Sequence, residues 1–306
     1  MSAPRIPQTR ESGSPNATCT PATLRSIARM VREGEPFACL TCYDATTARW
    51  LEAAGIPILL VGDTAGEVIL GFPGTVHTPL EFLIAITAGV KRGAPNSLVM
   101  ADMPFMSYQA DDAEGIRNAG RFMTEGLADL VKLEVDRSFV PLVAKMARAG
   151  IPVIAHIGSR PQHAKLQGGY YAAGKTASAA LALLDDARAL AEAGATMLLV
   201  EAAPAEVTDA IVRESRIPVI GCGAGPSCHG QVIVLQDLLG MTPWQPAFAA
   251  PGAQVGTAIA QAAQGWRQRV STRDLGAHPY AMSDRERSEF LEAVEGRGGS
   301  AAGRPA

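Results

Sequence analysis

One pattern recurs along this chain and leaves few folds open to it. A helical stretch ends in a tight turn, and the turn opens a short run of consecutive apolar residues. The turns read Gly55-Ile56-Pro57, Gly93-Ala94-Pro95, Gly150-Ile151-Pro152, Gly194-Ala195-Thr196 and Arg216-Ile217-Pro218. An apolar run without polar alternation, bounded by Gly and Pro, reads as a strand buried on both faces, as in a parallel sheet. Such runs occupy Phe37–Tyr43, Ile58–Val61, Ser97–Ala101, Asp129–Leu133, Pro152–Ala155, Thr196–Val200, Ile217–Ile220 and Gln231–Gln236. The stretches between them predict helices over Leu80–Lys91, Asp112–Glu125, Phe139–Ala149, Ala177–Ala193 and Pro204–Glu214, preceded by Leu24–Glu33. Asp44 sits where it caps a helix carrying Trp50 and Leu51.

Eight strands alternating with helices in a chain of 306 residues predict an α/β protein, a (β/α)8 TIM barrel forming a single domain with flexible termini. An open doubly wound sheet is the alternative, and the first strand lacks the Gly-rich nucleotide fingerprint that would favour it. The expected organisation is a disordered tail over 1–20, the catalytic barrel over 21–245, an extension over 246–295 packing on the barrel or a partner subunit, and a disordered tail over 296–306. Two long segments, 66–79 and 158–174, read as irregular loops from their Gly and Pro.

A net charge of -3 offers no basic field for nucleic acid or an acidic membrane surface. No apolar run reaches the roughly 20 residues that span a bilayer, and residues 1–20 carry no apolar signal core. Five scattered cysteines, an odd number, read as reduced thiols in a cytoplasmic setting. Cys39 and Cys42 fall on opposed faces of one strand and read as core thiols. Gly221–Gly225 could cradle a phosphate, but Pro226 follows and a tight turn is the reading preferred.

In a barrel the carboxyl ends of the strands form one ring, where the chemistry sits. That ring carries Asp63 with Thr64, Asp102, Lys132 with Glu134, His156 and Glu201. Acids at single strand ends can cap turns, but four converging carboxylates facing one lysine need a cation to be buried together. Hard oxygen donors without a Cys or His cluster favour Mg2+ over Zn2+. Lys132 and Glu134 are two positions apart on one strand, so both point to one face. A metal, a lysine and a spare carboxylate suit a 2-oxo acid bound through its keto and carboxylate oxygens. Lys132 would hold developing negative charge and Glu201 would take a proton from the acidified carbon. The residues alone do not reveal the electrophile.

The motifs TCYDATTARWLEAAGIPILLVGDT, KRGAPNSLVMADMPFMSY, DLVKLE, IPVIAHIG and IPVIGCGAG, in this order, resemble the ketopantoate hydroxymethyltransferase family. The resemblance covers roughly residues 20–245. It implies a Mg2+-dependent barrel that transfers a one-carbon unit from methylenetetrahydrofolate to 3-methyl-2-oxobutanoate, and a homo-oligomer, typically decameric. Carried over, Asp63 and Asp102 bind the metal with Glu134 beside it. Asp63, Thr64, Asp102, Lys132 and His156 meet the substrate, and Glu201 is the proton acceptor. Thr64 stands where the family commonly has Ser. The chain departs from the family pattern in the loops 71–79, 159–173 and 226–229. Alternatives are therefore a paralogue acting on another 2-oxo acid, a related barrel of the phosphoenolpyruvate mutase/isocitrate lyase type, and a barrel that binds without catalysis.

Overall fold

The computed structural model describes residues 20–243 and 245–298. The expected tail over 1–20 lies outside the described residues except for residue 20, and that over 296–306 except for 296–298. The chain divides into two compact units, one running to Gln254 and one starting at Val255.

The first unit begins with α1 (Leu24–Glu33), whose start is fixed by a capping box between Thr23 and Ser26 and whose end is Gly34 in the left-handed conformation. Then follow β1 (Phe37–Thr41), α2 (Ala45–Ala53), β2 (Ile58–Val61), a short α3 (Ala65–Val68), α4 (Leu80–Gly93), β3 (Leu98–Asp102) and α5 (Asp112–Thr124). The alternation continues with β4 (Leu130–Glu134), α6 (Val140–Arg148), β5 (Val153–Gly158), a short α7 (Ala164–Gln167), α8 (Ala177–Glu192), β6 (Met197–Glu201) and α9 (Ala205–Glu214). It closes with β7 (Val219–Cys222), β8 (Gly230–Ile233) and a helical turn, α10 (Leu235–Leu238). The eight strands are parallel and close in sequence order into a barrel, β8 pairing back onto β1. The (β/α)8 expectation holds. As expected, Asp44 caps α2, its Oδ1 accepting from the backbone N–H of Thr46 at 2.8 Å and Thr47 at 2.9 Å.

Strand residues alternate between two apolar clusters. One fills the barrel interior with Phe37, Cys39, Ile58, Leu98, Met100 and Ile154, among others, and Ile27 of α1 joins it from below. The other lies between sheet and helices and holds Cys42, Leu59, Val99, Val131, Leu133 and Val153. Cys39 and Cys42 thus sit on opposite faces, as read. Carrying the interior parity toward the carboxyl ends leads from Met100 to Asp102, from Leu130 to Lys132 and Glu134, from Ile154 to His156 and from Leu199 to Glu201. The interior changes from apolar to charged at one height, and this positions the site.

Only β2 keeps its expected bounds: β3, β4 and β6 shift by one residue, β1 stops at Thr41, β5 runs on to Gly158, and β7 and β8 are displaced. β7 starts at Val219, because Pro218 has no N–H to give to a ladder. β8 is Gly230–Ile233 rather than Gln231–Gln236, for the chain bends at Leu235, whose N–H donates to Thr41 Oγ1 at 2.9 Å. Gly230 packs against the Phe37 ring where no Cβ fits. The two loops read as irregular hold short helical pieces: α3 and a 3-10 turn at Thr75–His77 in one, a 3-10 turn at Pro161–His163 and α7 in the other.

The second unit contains α11 (Val255–Ser271) and α12 (Asp284–Gly298).

Candidate active site

The strand register sets the site. Asp102 pairs with Lys132, Glu134 with His156, and Gly158 with Glu201 across adjacent strands. Asp63, Asp102, Lys132, Glu134 and His156 are all buried, while the Glu201 side chain keeps 22% exposure. The structure thus brings together every predicted strand-end residue. Gly158 has φ +96° and lies where a Cβ would run into the Glu201 carbonyl oxygen, so only glycine lets β5 and β6 approach here.

Lys132 Nζ is 3.0 Å from Asp102 Oδ1 and 3.1 Å from His156 Nδ1. The Asp102 contact is an ion pair at hydrogen-bond distance, so the lysine is the partner of the buried Oδ1. An ammonium has only donors, so His156 Nδ1 accepts and its proton rests on Nε2. Nε2 lies 3.5 Å from Glu201 Oε2 and makes no hydrogen bond. Burial, then Lys132 and Arg160, hold His156 well below the usual histidine range, so it is neutral.

Asp63 follows Gly62 at the end of β2. Its N–H donates to Asp102 Oδ2 at 3.0 Å, its carbonyl accepts from Thr78 Oγ1 at 2.7 Å, and its Oδ2 accepts from Gln162 Nε2 at 2.8 Å. Thr64 is half-buried at the start of α3, with its hydroxyl uncommitted to the helix end. Glu134 Oε2 accepts from the backbone N–H of Gln162 at 3.0 Å. The Tyr108 hydroxyl bridges the Glu134 backbone, accepting from its N–H and donating to its carbonyl, each at 3.0 Å.

Four carboxyls surround one lysine, and their proton affinities respond. Burial pushes Asp63 up to about 7, with Asp102 adding to the rise and Lys132 opposing it. Burial likewise pushes Glu201 up to about 7 against the pull of Lys132, and it raises Glu134 well above its usual range, helped by Asp63. Lys132 is driven up: burial works against its charge, but Asp102, Asp63 and Glu134 outweigh it. Negative charge in excess of its partners is relieved either by protons or by a cation.

The donor set fits a hard divalent cation. The buried Asp63, Asp102 and Glu134 offer hard carboxylate oxygens against a single buried ammonium. Among the described residues no three His, Cys, Asp or Glu side chains form a ready cage. A Mg2+ ion here would take one or two carboxylates and fill the rest of its shell from water and substrate.

Several residues around the site carried no signal read from the sequence. Gln162 joins Asp63 to Glu134, Tyr108 braces Glu134, and Tyr43 places a buried hydroxyl without a hydrogen-bond partner at the end of β1. Tyr43 follows the first strand within the motif TCYD, and that position was the available pointer. Other signals dissolve into packing. His229 Nδ1 accepts from the Val219 N–H at 3.0 Å. The tight turn expected over 221–225 is not formed there: Gly221 and Cys222 end β7, and Gly223 and Gly225 take positive φ in the loop that follows.

The sequence matches the family model for ketopantoate hydroxymethyltransferase over residues 21–278. It is 45% identical over 271 residues to the 3-methyl-2-oxobutanoate hydroxymethyltransferase of Alkalilimnicola ehrlichii, covering 88% of this chain and 96% of that one. Identity to the Carboxydothermus hydrogenoformans protein of the same name is 44% over 275 residues, 89% of this chain and 98% of that one. Among solved structures the fold is similar to a phosphonopyruvate hydrolase in complex with oxalate and Mg2+, with a TM-score of 0.56 and 13% identity over 92% of this chain and 99% of that one. It is also similar to 2,3-dimethylmalate lyase, with a TM-score of 0.53 and 16% identity over 91% and 98%. At such identities the likeness is one of fold. The family named by the sequence motifs and the family found by comparison are the same. This chain belongs to the ketopantoate hydroxymethyltransferase family and is a transferase enzyme.

Proposed function

We propose that the enzyme transfers a hydroxymethyl group from 5,10-methylenetetrahydrofolate to 3-methyl-2-oxobutanoate, giving 2-dehydropantoate on the route to pantothenate. The observation that carries this reading is the Lys132 ammonium between Asp102 and His156, facing a carboxyl, Glu201, that becomes a base near neutral pH.

Asp63 and Asp102 would hold a Mg2+ ion, with Glu134 beside it. When bound, the ion polarises the keto and carboxylate oxygens of the oxo acid and acidifies the adjacent C–H. Glu201 takes the proton from C3, and the electron pair moves toward the keto oxygen. Lys132 meets the negative charge that develops there. Neutral His156 accepts from Lys132 and so fixes the direction in which the ammonium points. Thr64 contacts the substrate at the mouth of β2. Water adds to the methylene carbon of the folate and both its C–N bonds break, releasing tetrahydrofolate and leaving a carbonyl carbon at the formaldehyde level; the nucleophilic carbon bonds to it, and the oxygen that came from water takes a proton to become the hydroxyl.

The four described cysteines are free, in keeping with a cytoplasmic enzyme. We take the enzyme to act as a homo-oligomer, and the exposed Ile259, Trp266 and Val270 of the second unit are suited to meeting a partner subunit.

Purified protein given Mg2+, methylenetetrahydrofolate and 3-methyl-2-oxobutanoate is expected to form 2-dehydropantoate. Turnover only with another 2-oxo acid would mark a paralogue whose altered loops select that acid. No turnover with any branched 2-oxo acid, or folate-independent release of a 2-oxo acid from a 2-hydroxy or phosphono substrate, overturns the reading.

A further inference from the structure

Gln162 stands outside the ring of strand ends, on the 3-10 turn after β5, yet it touches more of the site's framework than any strand-end residue does. Its carboxamide is buried. Nε2 donates to Asp63 Oδ2 at 2.8 Å and to the Met103 carbonyl at 3.1 Å. Oε1 accepts from Gln109 Nε2 at 2.8 Å and lies 3.2 Å from the Tyr108 hydroxyl, whose one proton goes to the Glu134 carbonyl. Its backbone N–H donates to Glu134 Oε2 at 3.0 Å. One residue therefore holds an oxygen of Asp63 and an oxygen of Glu134, which come from strands on different parts of the barrel.

The hydrogen-bond inventory makes this bridge specific. Asp63 and the Met103 carbonyl need a donor and the Gln109 amide needs an acceptor, on opposite ends of one planar group. A leucine would leave the buried Asp63 oxygen and the Met103 carbonyl without this donor, and a glutamate would face Asp63 with like charge. Because the same residue sits on the turn after β5, ordering the turn and orienting the two carboxylates draw on the same hydrogen bonds.

We propose that Gln162 is a positioning residue that couples cation binding at Asp63 and Asp102 to closure of the loop following β5. This rests on the metal reading given under the proposed function. Groups that orient a metal's ligands typically change its affinity ten- to a hundred-fold when removed.

The test uses Mn2+ as the probe, measured by electron paramagnetic resonance without substrates, together with hydrogen exchange of the 159–167 segment. The unaltered enzyme is expected to bind Mn2+ and to exchange this segment more slowly once it is bound. Gln162→Leu is expected to weaken Mn2+ binding about ten- to a hundred-fold and to abolish the protection, while Gln162→Asn recovers part of both. Affinity within twofold of the unaltered enzyme in Gln162→Leu overturns the proposal. If that variant does not fold, exchange in the unaltered enzyme decides, and the absence of Mn2+-dependent protection overturns it. Asp102→Asn separates the premise from the inference: Mn2+ binding unchanged in that variant overturns the metal reading itself.

Discussion

His156 Nδ1 lies 3.1 Å from Lys132 Nζ, and this contact fixes both residues' roles. The lysine can only donate, so the imidazole is neutral, accepts at Nδ1, and turns its N–H toward Glu201. A lysine buried among four acids would ordinarily collapse onto the nearest of them. Here the imidazole shares it with Asp102, which keeps the ammonium aimed across the barrel.

Replacing Lys132 with Met keeps the volume and removes the charge proposed to meet the developing oxyanion. A loss of about 10²–10³ in kcat is expected. Steady-state kinetics with saturating oxo acid measure it, and a fall of less than tenfold would show that Lys132 does not stabilise the transition state.

Glu201→Gln keeps the shape of the side chain and removes the base. The expected loss in kcat is about 10²–10⁴, while titration calorimetry finds the oxo acid bound nearly as tightly as before. Equal losses in binding and rate would instead assign Glu201 to substrate holding.

Burial lifts Glu201 to about 7, so the basic form accumulates only as pH rises through that value. kcat/KM is expected to climb between about pH 6 and 8 and then level. A flat profile over this range would separate the rate from this carboxyl.

The same shifts govern stability without metal. Asp63 rises from 3.8 and Glu201 from 4.5, each to about 7 in the folded chain. Between those values the native state binds more protons than the unfolded one, so stability falls as pH increases from about 4.5 to 7. Thermal melts in chelator are expected to show that fall. Mg2+ at about a hundred times its dissociation constant should restore about 2.7 kcal/mol, which is on the order of 5–10 °C in Tm.

Gly158→Ala puts a methyl against the Glu201 carbonyl oxygen at a positive φ. Strain of about 1–3 kcal/mol is expected, read as a lower denaturation midpoint, with kcat falling further because Glu201 moves. Unchanged activity would mean that β5 and β6 can separate without disturbing the base.

Most of the barrel and its strand-end ring could be read from the chain because two periodicities coincide. Apolar runs gave the strands, and a parity of two carried Asp102, Lys132, Glu134, His156 and Glu201 to the inner face. Asp63 was found by the Gly that precedes it. Gln162 was invisible for the opposite reason: it lies in a loop without periodicity, 99 positions from the Asp63 it holds. Tyr108 acts through its hydroxyl on a neighbouring backbone, which leaves no mark in composition. β8 was misplaced because QVIVLQ is apolar enough for a strand throughout, while the bend at Leu235 depends on Thr41, 194 positions away.

Ile27 of α1 lies within the interior cluster beneath the strands, so the floor of the barrel is shut. A vessel with one doorway imposes an order on its traffic. In the reaction proposed above, the oxo acid settles against Lys132 and Asp102 before the bulkier folate covers the mouth, and the finished product, seated deepest, leaves after the spent carrier. Product-inhibition kinetics should show 2-dehydropantoate competing with the oxo acid and not with the folate.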